Sequence, residues 1–273
     1  MLGEGLLERW IKGDSKEASP HLAIIGRTGA GKTTLAKRIA LHLLSLKKNV
    51  IILDFDGGEY SELPLVTLSP PFPIPKGVSL AWLLSQAARP SREEGGGFGI
   101  AGVATLLEDA SIDEAIKTIK YDLTIPHQIR FAVLWRLALL KKYFVFVSND
   151  VALEQTARYD LSGIVDIRER QVVEQLLCSL IVSANHSPAE TFLFVEEGVP
   201  GEWLSDLLLL ARRRRTRIIY VSQSLPPHPF NFEIVLFTPY FSNPHPLPLP
   251  VNPALDRGVW WVGALGIHRL SLR

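Results

Sequence analysis

Apolar positions fall into short unbroken runs separated by longer stretches of helical spacing, and that alternation sets the fold class. His21-Leu22-Ala23-Ile24-Ile25 has the length of one strand and no polar alternation, so it predicts a strand buried on both faces, as in a parallel sheet. Residues 34–46 follow with Leu35, Ile39, Ala40, Leu43 and Leu44 at helical spacing. Asn49-Val50-Ile51-Ile52-Leu53-Asp54 is a second buried strand, ending in the acidic turn Asp54-Phe55-Asp56-Gly57-Gly58-Glu59-Tyr60. Strand, helix and strand joined in this order make a right-handed parallel α/β unit. Downstream, 143–147 reads as a strand at which the core resumes, and 155–162 accommodates another short one. Residues 165–185 place Val172, Val173, Leu176, Leu177, Leu180 and Ile181 at the spacing of a long amphipathic helix, and 191–196 and 218–222 are further buried strands.

Between these core segments the pattern weakens. Pro64, Pro70, Pro71, Pro73 and Pro75 mark an extended connection, and Gly95-Gly96-Gly97 marks a mobile loop. Residues 80–88, 112–119 and 129–140 read as helices, which makes 61–145 a helical insertion beside the sheet. Arg130, Arg136, Lys141 and Lys142 in or after its last helix read as solvated charge. At the start, Leu6, Leu7, Trp10 and Ile11 suggest a short helix in an arm of about twenty residues, free either to pack on a neighbour or to fray. Near the other end, proline excludes a continuous helix over 225–253, 232–237 reads as an added strand, and 258–272 as a hairpin turning near Gly263 to Gly266. His268 within that hairpin reads as structural.

Composition narrows the class. At 273 residues and 47% hydrophobic, the chain is one large domain or one domain with appendages, with ample material for a core. A net charge of +1 announces no global affinity for polyanions, so any such site must be local. The single cysteine, Cys178, lies in an apolar helical run and excludes a disulfide framework and a Cys/His zinc site, which suits a reducing cytoplasm. The first residues lack the pattern of a signal peptide. The most apolar stretch, 131–148, is interrupted by Arg136, Lys141 and Lys142, so no membrane insertion is expected.

The chemistry concentrates in Gly26-Arg27-Thr28-Gly29-Ala30-Gly31-Lys32-Thr33, a full match to the phosphate-binding loop G-x-x-x-x-G-K-[ST], and Thr34 opens the helix behind it. Glycines let successive N–H groups turn inward onto phosphates. Lys32 is placed to reach the β- and γ-phosphates, Thr33 to hold Mg²⁺, and the helix N-terminus adds partial positive charge. A nucleoside triphosphate ligand follows. Thr191-Phe192-Leu193-Phe194-Val195-Glu196-Glu197 is a strand ending in two carboxylates, with Glu196 on the metal side and Glu197 positioned to act on the attacking water. Arg212, Arg213, Arg214, Arg215 and Arg217 precede a strand that ends in Ser222-Gln223. Guanidinium forks suit phosphate, but a solvated helix face explains most of such a run equally well. Gln223, polar at the tip of an apolar strand, suits a γ-phosphate sensor. The acids of the 54–60 turn either face a ligand crevice or serve the turn itself.

Taken in order, the phosphate loop, the turn with Gly58, Glu59 and Tyr60, Tyr159-Asp160-Leu161-Ser162 before a long helix, Val195-Glu196-Glu197, the arginines before Ser222-Gln223 and the Gly258 hairpin resemble the HerA/FtsK superfamily of hexameric DNA-pumping ATPases, nearest its archaeal HerA branch. The resemblance spans roughly 21–60 and 155–273. It implies an α/β fold with a RecA-like P-loop core, a mostly parallel central sheet and a C-terminal β-hairpin, over residues 21–273. It also implies a homo-oligomeric ring, expected to be a hexamer, that uses ATP and Mg²⁺ to move double-stranded DNA through its pore. Lys32, Glu197 and Gln223 would be catalytic, and Arg212 would act as a finger on the neighbouring subunit's nucleotide. The barrel that precedes the ATPase in cellular relatives is missing or reduced to the first twenty residues, the acidic turn is one residue longer, and Glu196 stands where Asp is commoner. A nuclease, capsid or secretion-channel partner fits a compact motor of this kind. A P-loop kinase and a secretion ATPase moving protein share much of the pattern. A GTP switch would need an Asn-Lys-x-Asp element that is not present.

Overall fold

The computed structural model describes residues 4–13, 19–88, 97–108, 110–147, 156–185, 189–196, 203–226, 229–238, 258–263 and 266–270. Buried apolar runs become parallel strands, as their unbroken hydrophobicity requires. The strands are β1 (Leu22–Ile25), β2 (Asn49–Asp54), β3 (Val66–Leu68), β4 (Phe72–Ile74), β5 (Phe144–Phe146), β6 (Ala157–Asp160), β7 (Thr191–Glu196), β8 (Thr216–Ser222) and β9 (Glu233–Thr238), followed by β10 (Gly258–Gly263) and β11 (Gly266–Leu270). Nine of them form one sheet in the order β11-β10-β9-β1-β8-β7-β2-β6-β3. From β9 to β3 every pairing is parallel, and β10 and β11 close one side as an antiparallel hairpin.

Strand alternation divides the interior into two layers. Ala23, Ile25, Ile51 and Leu53 point to one face, where α7 (Ile167–Ala184) and α8 (Trp203–Arg213) pack together with the 80–143 helices. Leu22, Ile24, Val50 and Ile52 point to the other, under α1 (Glu4–Lys12) and α2 (Lys32–Ser45). The α1 helix is docked on its own chain: Leu7, Trp10 and Ile11 are buried, the Trp10 indole donates to the Ser19 carbonyl, and the Arg217 guanidinium lies over the Trp10 ring. Sequence suggested a free arm there, but three apolar side chains on one helical face found a partner in the sheet.

The 61–145 region holds α3 (Leu80–Ala87), α4 (Gly97–Ala104), α5 (Ile112–Tyr121) and α6 (His127–Tyr143), but it is not purely helical. Its β3 extends the main sheet at the edge. The run expected to resume the core, 143–147, instead splits: Tyr143 ends α6, and β5 pairs with β4 in a separate two-stranded sheet. Arg136 is not solvated either. It is 5% exposed, donates to the carbonyls of Ala87 and Ala132, and so fastens α6 to the end of α3. Of the glycine triplet, Gly97 opens α4, and Gly95 and Gly96 lie outside the described residues. Cys178 is buried in α7 as its apolar neighbours predicted. Among the described residues no helix is long and apolar enough to cross a membrane.

Candidate nucleotide-binding site

The site grows from the middle of the sheet. β1 lies between β8 and β9, both parallel to it, so its carboxyl end opens where three strands finish side by side. Gly26 leaves β1 with its N–H on the Ser222 carbonyl (3.2 Å), and a Cβ built there would stand 2.8 Å from the Phe237 Cβ. The chain then turns through exposed Arg27, Thr28 and Gly29 and half-buried Ala30 to Gly31. Gly31 caps α2 at φ 97°, a backbone that favours glycine, and its carbonyl accepts from the Leu35 N–H at 3.0 Å. Lys32 begins the helix, 6% exposed, with its ammonium donating to the Arg27 carbonyl at 3.1 Å, so the cation sits inside the loop. Thr34 is exposed on the next position.

Thr33 is half-buried and its hydroxyl donates to Glu196 Oε1 at 2.5 Å. The pair joins the first turn of α2 to the last residue of β7, two strands away from β1 in the sheet. Glu196 is 4% exposed. Burial pushes its carboxyl up to about 7, opposed by the Thr33 hydrogen bond and the Tyr60 phenol and reinforced by the charges of Glu59 and Asp54. Tyr60 is completely buried, and burial together with the Glu196 charge pushes its phenol well up. The Tyr60 hydroxyl and Glu196 Oε2 are both buried without a hydrogen-bond partner of normal geometry, and each residue bears on the other's ionisation. A buried carboxylate oxygen left over beside a threonine hydroxyl is the hard oxygen donor set that suits Mg²⁺.

Asp54 does not point at this cleft. Its Oδ1 accepts from the N–H groups of Asp56 and Gly57 at 3.1 and 2.9 Å, and its Oδ2 pairs with Arg158 at 2.8 Å. Arg158 also donates to the Gly57 carbonyl at 2.9 Å, so the acidic turn is folded around a buried ion pair between β2 and β6. For Asp54, turn chemistry accounts for the residue. Sequence reading passed over Arg158, although an arginine between Ala157 and Tyr159 in a buried strand signals a partner. It quoted Tyr60 within the turn without assigning it to Glu196, because an aromatic ending a polar turn carries no sign of its direction.

The structure brings Gln223 to the loop and leaves Arg212 far from it. Gln223 follows the last residue of β8, whose Ser222 pairs with Ile25, and the Ser224 N–H donates to the Ser222 hydroxyl in a tight turn that leaves Gln223 exposed. α8 runs from the carboxyl end of β7 back to the amino end of β8, so Arg212, exposed in its last turn, lies at the opposite end of the strands. Glu197 lies outside the described residues. Among the described residues no cluster of three or more His, Cys, Asp or Glu side chains could hold a metal ion alone.

Residues 11–79 match the family model described as Helicase HerA, central domain. The fold is shared with VirB4 of Thermoanaerobacter pseudethanolicus, at a TM-score of 0.57 and 15% identity over 75% of this chain and 70% of that structure. It is also shared with the bacterial conjugative coupling protein TrwB, at 0.53 and 15% over 76% and 64%. A second TrwB structure, in complex with ADP and Mg²⁺, matches at 0.54 and 14% over 75% and 63%. The chain thus spans about two thirds of the length of these proteins. Among curated protein sequences none matches. The chain has the RecA-like fold of these P-loop ATPases, with the expected C-terminal hairpin, and is similar to the HerA type in its loop-bearing segment.

Proposed function

We propose that this protein is an ATP-hydrolysing motor that transfers DNA, with ATP and Mg²⁺ as its cofactors. The observation that carries the reading is the 2.5 Å bond between Thr33 and Glu196 at the mouth of an intact phosphate loop. It ties the metal-side hydroxyl and the acid of the second motif into one unit. TrwB, of the same fold, is found with ADP and Mg²⁺ and with the ATP analogue ADPNP, which supports the same ligands here.

In this reading the loop from Gly26 to Thr34 wraps the phosphates, with N–H groups beyond Gly26 turned onto them, and Lys32 exchanges the Arg27 carbonyl for phosphate oxygen. Thr33 and Glu196 hold Mg²⁺, which when bound neutralises developing charge on the phosphates. Glu197, next along the chain, orients the attacking water, and Gln223, one residue past β8, senses the terminal phosphate. Arg212 cannot serve its own site from the amino ends of the strands, so its role as a finger requires a second copy. A homo-oligomeric ring of six, double-stranded DNA in its pore, a nuclease, capsid or secretion-channel partner, and a cytoplasmic location complete the proposal. The single buried cysteine agrees with a reducing compartment.

The test is the steady-state ATPase rate with and without linear double-stranded DNA, with the mass of the same sample by light scattering. Stimulation by DNA in a hexamer-sized particle is expected. An active monomer indifferent to DNA would overturn the motor reading in favour of a kinase-like enzyme. Lys32→Ala removes the one ammonium inside the loop, and binding of a fluorescent ATP analogue is expected to be lost while the melting midpoint is kept.

A further inference from the structure

At the amino ends of the strands, opposite the phosphate loop, lies a cavity of about 610 Å³ that the nucleotide site does not use. Among the described residues five cationic side chains line it (Lys47, Lys48, Arg212, Arg215 and Arg217) against the one carboxylate of Glu190. In a chain whose net charge is only +1, this is a marked local excess. Glu190 is already taken: it pairs with Arg217 at 2.5 Å and with Lys48 at 3.2 Å. Lys47 and Arg212 have no carboxylate partner among the described residues.

The floor is built, not loose. The Thr191 N–H donates to the Arg215 carbonyl, and the Asn185 amide donates to the Arg214 carbonyl and to the hydroxyls of Thr191 and Thr216. This fixes the turn between α8 and β8 beside the start of β7. Backbone conformation adds a second argument. Lys47 at φ 56° and Arg215 at φ 53° are the non-glycine residues with left-handed backbone among the described residues, and both line this cavity. Glycine or asparagine would sit there more easily than a longer side chain. Two helix C-termini, those of α2 and α8, end nearby and favour some basic residues, but one cation per terminus would satisfy them.

We infer that this amino-end cavity is a second phosphate-binding site, which takes the phosphodiester backbone of nucleic acid without reading its sequence. The inference rests on the DNA-transfer reading above. Among the described residues no aromatic side chain lines the cavity to hold a base, which favours a ligand recognised by its phosphates. The cations occupy separate positions along the cavity, which suits a chain of single charges.

The experiment measures binding of a labelled linear duplex by fluorescence anisotropy between about 50 and 200 mM salt. The proteins are the full chain, Lys47→Gly, Arg215→Gly and the double variant. Glycine fits the left-handed positions, so the melting midpoint should hold or rise. The double variant should lose about tenfold in affinity at the low-salt end. The slope of log affinity on log salt should fall by about 0.9 for each cation removed. Unchanged affinity and slope would overturn the site while leaving the motor reading intact. No duplex binding by the full chain at any salt would overturn both. Unchanged duplex binding with loss of DNA-free ATP turnover in the oligomer would assign the cavity to a nucleotide held by a second copy, and the inference would fail.

Discussion

His21 shows how completely one side chain can be committed by its neighbours. It is fully buried, its Nδ1 accepts from the Ile218 N–H at 3.0 Å, and its Nε2 lies 3.2 Å from the Leu208 carbonyl. An acceptor on one nitrogen and a donor on the other define the neutral imidazole with its proton on Nε2. Burial first, then the charges of Arg212 and Arg217, lower its pKa to about 3. The unfolded chain binds that proton near 6.5 and the folded chain near 3, so its contribution is complete above 6.5 and is lost as pH falls through that window. The loss is on the order of 5 kcal/mol. Expected in melts from pH 7 to 3 is a shallower decline for His21→Gln than for the parent, from a lower starting stability; parallel declines would refute it. Glu196 works in the opposite direction. Its carboxyl, raised to about 7, must lose its proton to face a cation, so turnover at limiting Mg²⁺ should climb as pH rises through about 7. Tyr60 favours the charged form, so Tyr60→Phe should move the midpoint of that climb to higher pH, and a pH–rate profile with an unmoved midpoint would remove Tyr60 from the site.

At the scale of elements, the ion pair of Arg158 and Asp54 is the fastening between β2, β6 and the acidic turn, with both side chains nearly excluded from water (8% and 1% exposed). Truncating one partner strands the other, at a cost of about 3–5 kcal/mol. Arg158→Met is therefore expected to lower denaturant stability by about 3 kcal/mol, whereas joining it with Asp54→Asn should recover part of the loss; full additivity would show that the pair is not coupled. The strands that carry the site were legible because their burial on two faces leaves unbroken runs such as 21–25 and 191–196 in the sequence. The phosphate loop was legible because glycine and lysine spacing encodes its backbone directly. Arg136, Arg158 and α1 were misread or overlooked for one reason. Periodicity reports which face is apolar, but it does not say what lies opposite, so a charge that will be buried against carbonyls looks like a charge bound for water. The short β3 and β4 escaped because three residues carry too little pattern to separate a strand from an extended loop, whereas β5 was read as a strand within 143–147 but assigned to the main sheet.

At the scale of the whole molecule, the phosphate loop and the arginine-lined cavity lie at opposite ends of the strands. Lys32 and Glu196 lie at the carboxyl ends and Arg212 at the amino ends, so under the proposed roles a complete catalytic set would need two copies. If that is so, Arg212→Ala should be inactive alone, while rings mixed with Lys32→Ala should regain ATP turnover at the junctions where both partners are intact. Absence of any recovery in mixed assemblies would argue against action in trans. The sheet order has a different consequence, one of timing. β1 emerges early in synthesis, yet its neighbours β8 and β9 lie roughly 200 residues further along, with Leu22 paired to Ile219 and to Glu233. Such distant pairings form late because long loops must close first. The strand that carries the phosphate loop therefore waits, unpaired, until β8 and β9 have followed it from the ribosome. Appearance of tight nucleotide binding would then serve as a clock for completed folding.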